Sequence, residues 1–174
     1  LGLTLEFLET HGVPVIGCRC EVCTYSDPRD KRWRPSILVE YEGGPTLLVD
    51  TGPDLRAQAL RFDVRRVDAV LFTHPHADHL LGLDDIRRFN RIQQCSIPCY
   101  GSPETMREVG RIFAYAFNPR QQGGGVPRLE LCAVEGPFSA GGRLVQPVPV
   151  MHGKVPIYGY RFGGEFEDAD TGAR

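Results

Sequence analysis

The stretch Leu71-Phe72-Thr73-His74-Pro75-His76-Ala77-Asp78-His79 decides how this chain reads. It closes an apolar run, Val67 to Phe72, that predicts a strand, and it passes through a loop toward a helical pattern. Three of the chain's 5 histidines fall between positions 74 and 79. In extended backbone, residues i and i+2 share a face, so His74 and His76 are placed to grip one ion. Imidazole is an intermediate metal ligand and the neighbouring carboxylate a hard one. Asp78 and His79 follow as the chain turns, in position to face a second ion. The plainer alternative is a helix-capping Asp among exposed histidines. The two-residue spacing beside an acid–imidazole pair speaks for metal.

Working outward, Leu3, Leu5 and Phe7 alternate with polar residues, the period of a strand. Ser36 to Tyr41 and Thr46 to Asp50 predict two strands joined through Glu42-Gly43-Gly44-Pro45 as a hairpin. Asp54 is placed to cap a short helix through Leu60. Downstream, Leu83, Ile86 and Phe89 recur at helical spacing. Ser102-Pro103 opens the clearest helix, with Met106, Val109, Ile112, Phe113 and Phe117 on one face and Asn118-Pro119 as its stop. Gln121 to Pro127 reads as a flexible loop. Leu129 to Val134, Arg143 to Val150 and Ile157 to Phe162 return to strand character. Strands at both ends with helices between them predict a layered α/β or α+β fold, sheet packed on sheet with helices outside.

Composition bounds the rest. With 174 residues and about 150 residues per domain, residues 1–174 are expected to form one domain. Hydrophobic residues at 41% and charged residues at 24% are ordinary globular usage, which excludes a disordered chain, a coiled coil and collagen. A net charge of -2 excludes a strong basic field, so no general nucleic-acid binding is expected. No apolar run approaches the roughly 18 residues that span a bilayer. Leu1 to Glu6 has no basic region and an early acid, unlike a signal peptide. The expected location is cytoplasmic.

The 6 cysteines are uneven. Cys18, Cys20 and Cys23 form a C-x-C-x-x-C cluster too tight to pair easily as disulfides. Converging thiolates suit a metal, and the expected cofactor is a structural zinc within a Cys-rich segment at 17–34. A redox or incidental role is the alternative. Cys95, Cys99 and Cys132 read as small buried hydrophobes.

The His-x-His-x-Asp-His run after an apolar strand resembles the metallo-β-lactamase superfamily. Gly12-Val13-Pro14, Gly17 to Cys23, Asp27-Pro28-Arg29, Arg34-Pro35-Ser36, Asp50 to Asp54 and His79 to Arg87 extend the resemblance. They are similar to the branch that holds the phosphoribosyl cyclic phosphodiesterase of phosphonate breakdown and the pyrroloquinoline quinone biosynthesis protein. The resemblance as a whole covers about residues 3 to 162. The resemblance implies an αββα sandwich with a one- or two-metal site at the sheet edge. It also implies that the chain lacks the family's C-terminal part, which carries the last metal-site histidine and the histidine completing the cysteine site.

Carried over by position, the resemblance implies His74, His76 and His152 on a first ion and Asp78 with His79 on a second. The ions would be zinc, manganese or iron. His152 alone would more often read as structural. Asp170 resembles the bridging carboxylate, although the acidic run from Glu165 to Asp168 beside it also reads as an acidic tail. Asp50 resembles the acid beside the metal histidines, where accepting a ring N–H would fix a tautomer. Asp78 would orient a metal-activated hydroxide and take its proton, while Arg34 and Arg87 would hold phosphate. The oxidoreductase branch generally carries Glu where His76 stands, which favours hydrolysis. The expected function is a metal-dependent hydrolase of a phosphodiester or cyclic phosphate. The expected partner is a small-molecule phosphate ester, with no membrane and with a homodimer left open. The alternative is a non-catalytic or accessory metal-binding protein resembling the quinone-cofactor biosynthesis member.

Overall fold

A computed structural model describes residues 3–7, 14–27, 32–118 and 125–163. In chain order the elements are β1 (Leu3–Phe7), α1 (Glu21–Thr24), β2 (Ile37–Tyr41), β3 (Thr46–Val49), α2 (Leu55–Arg61), β4 (Ala69–Leu71), α3 (Ala77–Leu80) and α4 (Arg87–Gln93). They continue as β5 (Ile97–Gly101), α5 (Pro103–Ile112), β6 (Leu129–Ala133), β7 (Phe138–Ala140), β8 (Arg143–His152) and β9 (Val155–Phe162). Short 3₁₀ turns lie at Leu83–Ile86 and Ala114–Phe117.

The first six strands form one sheet in the order β1-β2-β3-β4-β5-β6. β1, β2 and β3 pair antiparallel, and β3 to β6 pair parallel. The last three form an antiparallel sheet, β7-β8-β9. The central strands β3 and β4 are buried along their whole length. The two-residue period divides their side chains between two cores. Leu48 and Val70 join Leu55, Leu80, Leu83, Ile86, Met106 and Val109 under the helices. Leu47, Val49, Ala69 and Leu71 face the second sheet with Val145 and Phe138. Each such side chain contributes about 1.5–3 kcal/mol when removed from water. The result is a helix–sheet–sheet stack. Among the described residues, the helices that enter a core all pack on the six-stranded sheet. No helix among them is long and apolar enough to cross a membrane.

The hairpin, the α5 helix and most strands follow the sequence expectations. Ser102 caps α5 by accepting the Thr105 N–H at 3.1 Å, with Pro103 in the first turn. Two readings are corrected. Asp54 stands before α2 but makes no side-chain cap; its carboxylate instead accepts the Arg34 backbone N–H at 2.9 Å. Phe117 does not continue the apolar face of α5, because the chain tightens into a 3₁₀ turn after Ile112, and Phe117 stands 38% exposed. Strands β5 and β7 are additions. Pro98 interrupts the residue pattern of β5, and β7 is only 3 residues long. Gly125 to Pro127 are without regular structure, and the rest of the expected flexible loop lies outside the described residues.

Candidate metal centre

The parallel strands end where the chemistry begins. β4 stops at Leu71, and Phe72 to His76 carry the chain over the sheet edge into α3. β9 holds this segment from the other sheet. The Tyr158 N–H donates to the Thr73 carbonyl at 3.0 Å, and the Tyr160 hydroxyl donates to the Phe72 carbonyl at 2.8 Å. β8 then delivers His152 from its last position, beside a turn in which Gly153 takes a left-handed φ of 65°.

His74, His76 and His152 converge. Ring nitrogens of all three lie within 4.8 Å of one another. His74 Nε2 and His76 Nδ1 are 2.9 Å apart. The donor set and its span fit one cation of the kind that takes imidazole nitrogen at about 2.0–2.1 Å. His74 is buried, and His76 and His152 are exposed, so the cluster opens to solvent on one side. Burial pushes the His74 imidazolium down to about 4, with the His79 charge adding to the effect against the pull of Asp50. His74 is therefore neutral, as a metal ligand must be.

Asp78 and His79 sit in the first and last turns of α3, and His79 Nε2 lies 3.6 Å from Asp78 Oδ2. His79 lies against His74, with ring centroids 4.2 Å apart. Among the described residues these two do not form a cluster of three donors. Asp170 lies outside the described residues.

Asp50 ties His79 to the segment that carries His74. The residue is 5% exposed and its backbone takes a φ of 60° just past the end of β3. It accepts the Thr73 backbone N–H at 2.9 Å, the Thr73 hydroxyl at 2.7 Å and the His79 Nδ1–H at 2.7 Å. Burial alone would lower the His79 imidazolium, but the Asp50 bond and charge, with Asp78, outweigh it and hold His79 above its ordinary value. With Nδ1 committed to Asp50, Nε2 is the atom left to face an ion.

The family model of the beta-lactamase superfamily domain matches residues 46–169, a span that holds every histidine of this centre. The chain belongs to the metallo-β-lactamase superfamily. A crystal structure of a diphosphatase from the PhnP family is 43% identical with a TM-score of 0.81, over 92% of this chain and 62% of that one. An octanoyltransferase of Porphyromonas gingivalis is 39% identical over 156 residues, 87% of this chain and 31% of its own length. A ribonuclease Z of Bradyrhizobium diazoefficiens is 33% identical over 143 residues, 79% of this chain and 46% of its own length. The chain thus spans less than half the length of these two curated relatives. A zinc-bound PqqB of Methylobacterium extorquens shares the fold, at 22% identity and a TM-score of 0.62.

In this superfamily member, two glycines let the loop bearing Asp50 lie against the metal motif. A Cβ on Gly52 would stand 2.6 Å from the Asp78 carbonyl, and one on Gly82 would stand 2.1 Å from the Gly52 carbonyl. Thr51 N–H donates to the His79 carbonyl and Gly82 N–H to the Thr51 carbonyl, both at 2.8 Å. Sequence reasoning passed over Thr73, Gly52 and Gly82. The pair Thr51-Gly52 after an apolar strand, and Gly82 three residues past His79, were the available signals.

Arg34 and Arg87 are each engaged with an acid. Arg34 Nη1 is 3.1 Å from Asp54, and its Cβ lies beside Gly52, close to the start of α3. Arg87 Nη1 is 2.7 Å from Asp84, whose other oxygen accepts the Tyr115 hydroxyl at 2.6 Å. Arg87 lines a cleft between α2 and α4 with Leu55, Ala59 and Phe89.

The cysteine cluster is a second gathering of donors. Sulfur atoms of Cys18, Cys20 and Cys23 lie within 4.8 Å of one another. A turn closed by Cys18 N–H to the Val15 carbonyl, with Gly17 at a φ of 77°, precedes α1. The Val15 N–H points at Cys23 Sγ at 3.4 Å. No disulfide joins any of the six cysteines, all of which lie among the described residues. Cys99 is buried as expected, whereas Cys95 is exposed and Cys132 half-buried. If the cluster holds a structural zinc, Cys20→Ser lowers the melting temperature and zinc content while turnover per folded molecule is kept. Normal melting with lost turnover would make the cluster catalytic instead.

Proposed function

We propose that this chain is the metal-binding core of a hydrolase acting on a phosphodiester or cyclic phosphate. The observation that carries the reading is the convergence of His74, His76 and His152 beside Asp78 and His79. Its support among relatives is a diphosphatase at 43% identity and a ribonuclease Z at 33%. His74, His76 and His152 would hold one divalent ion, zinc, manganese or iron, and Asp78 and His79 would hold another, with Asp170 as a further carboxylate ligand. Such a pair, when bound, supplies water activation near neutral pH and neutralises charge growing on phosphoryl oxygens.

The chain's own residues do the rest. Asp78 is more than half exposed, free to orient the attacking water and accept its proton at a carboxylate oxygen. Asp50 keeps His79 in the Nδ1–H tautomer throughout. Arg34, beside Gly52, and Arg87 would offer donors to the non-bridging phosphate oxygens, exchanging Asp54 and Asp84 for substrate. The exposed His76 and His152 leave the centre open to a small-molecule ester, and we place the protein in the cytoplasm. The cysteine cluster would hold a structural zinc.

Substrate class is tested by assaying bis-p-nitrophenyl phosphate beside a β-lactam and a glutathione thioester, with manganese or zinc added. The diester is expected to react at least about tenfold faster, a barrier difference of about 1.4 kcal/mol. Preference for the thioester would overturn the assignment. Binding of one weak ion with no diester cleavage would favour the alternative reading, a non-catalytic or accessory metal-binding protein.

A further inference from the structure

We propose that Thr73 is a positioning residue that extends the hold of the Asp50 carboxylate from one half of the metal centre to the other. The inference rests on reading His74 and His79 as metal ligands. A carboxylate only accepts hydrogen bonds, so the Thr73 hydroxyl, 2.7 Å from Asp50 Oδ2, must donate its single proton there. The same oxygen lies 2.8 Å from His74 Nδ1. Having spent its proton on Asp50, the hydroxyl can only accept, and the ring must supply an Nδ1–H. His74 is thereby held with Nε2 as its free lone pair, and Nε2 is the atom that points toward His76.

His79 receives the same instruction directly, through Nδ1 and Asp50 at 2.7 Å. One buried carboxylate therefore fixes two imidazoles assigned to two different ions, one by contact and one through a hydroxyl. Thr73 is anchored for this task from both sides. Its N–H donates to Asp50 Oδ1 at 2.9 Å, and its carbonyl accepts from the Tyr158 N–H of the second sheet at 3.0 Å. A threonine merely filling space at this edge would need no such pair of backbone anchors on the residue between two ligand-orienting bonds.

The experiment compares Thr73→Val, which keeps the shape and removes the hydroxyl, with Thr73→Ser, which keeps the hydroxyl. In the metal-free protein, ¹⁵N spectra of histidine-labelled samples report which ring nitrogen carries the proton. His74 is expected as the Nδ1–H form in the parent and in Thr73→Ser, and as mixed or Nε2–H in Thr73→Val. Competition titration with zinc is expected to show the ion of His74, His76 and His152 bound about 10- to 100-fold more weakly in Thr73→Val, with the other ion little changed. A Thr73→Val protein whose His74 keeps the parent tautomer overturns the proposal. So does equal loss of both ions, which would mark a structural role. If the parent protein binds no zinc yet the tautomer still shifts, the metal reading falls and the positioning role of Thr73 stands.

Discussion

Replacing His76 by Ala is expected to strip the centre of its metal and its hydrolysis together, while leaving the metal-free fold intact. The ring is exposed and supports no core; it meets neighbouring imidazoles, 2.9 Å from His74 Nε2 and with ring centroids 5.7 Å apart at His152. Stability of the metal-free variant should therefore stay within about 0.5 kcal/mol of the parent. Metal affinity is a different matter. Removing a residue that merely orients a ligand lowers affinity about 10- to 100-fold, and removing one of three imidazoles should exceed that. Elemental analysis of the purified variant, with diester turnover per folded molecule, reads both effects. Unchanged metal stoichiometry would defeat the assignment of His76.

Asp50→Ala is expected to damage fold and centre alike. The carboxylate satisfies the Thr73 N–H, the Thr73 hydroxyl and the His79 Nδ1–H, all partly or wholly shielded from water. An orphaned buried donor costs about 1–3 kcal/mol. The φ of 60° adds to this, because Asp tolerates the left-handed region better than Ala. A loss of about 2–4 kcal/mol in unfolding free energy follows, visible as a shifted urea midpoint at constant slope. Metal affinity should fall at both ions, since His79 and, through Thr73, His74 lose their orientation. Asp50→Asn separates the two effects by keeping the volume while replacing one accepting oxygen with a donor. A parent-like urea midpoint and parent-like zinc affinity in Asp50→Ala would show that the carboxylate holds nothing together.

What could be read from the sequence was local in origin. His74 and His76 stand two apart on an extended segment, so their shared face is a property of the backbone period alone. Cys18, Cys20 and Cys23 are confined within six positions and cannot avoid one another. Ser102, Pro103 and the apolar spacing to Ile112 state a helix start and a buried face with no reference to distant residues. The same reasoning failed at Phe117, where the period continued in the sequence after the backbone had tightened to 3₁₀.

Contacts between distant segments were legible only where a resemblance supplied them. His152 reaches His74 and His76 because β8 and β9 form a sheet that packs on the first and is hydrogen-bonded to Phe72 and Thr73. No spacing in the chain announces that meeting. Thr73 and Asp50 lie just past the ends of different strands, and their three-way bonding with His79 exists only once β3 and β4 pair in parallel register, Val49 beside Leu71. Gly52 and Gly82 look like ordinary loop glycines until two loops approach so closely that neither has room for a Cβ. The sequence by itself determined which side chains are able to bind a metal, because ligand chemistry and short-range backbone geometry belong to the residues. The tertiary structure decided which of them stand together and which ring nitrogens are engaged in hydrogen bonds. Those depend on strand register and on buried hydrogen bonds that form only when the layers close.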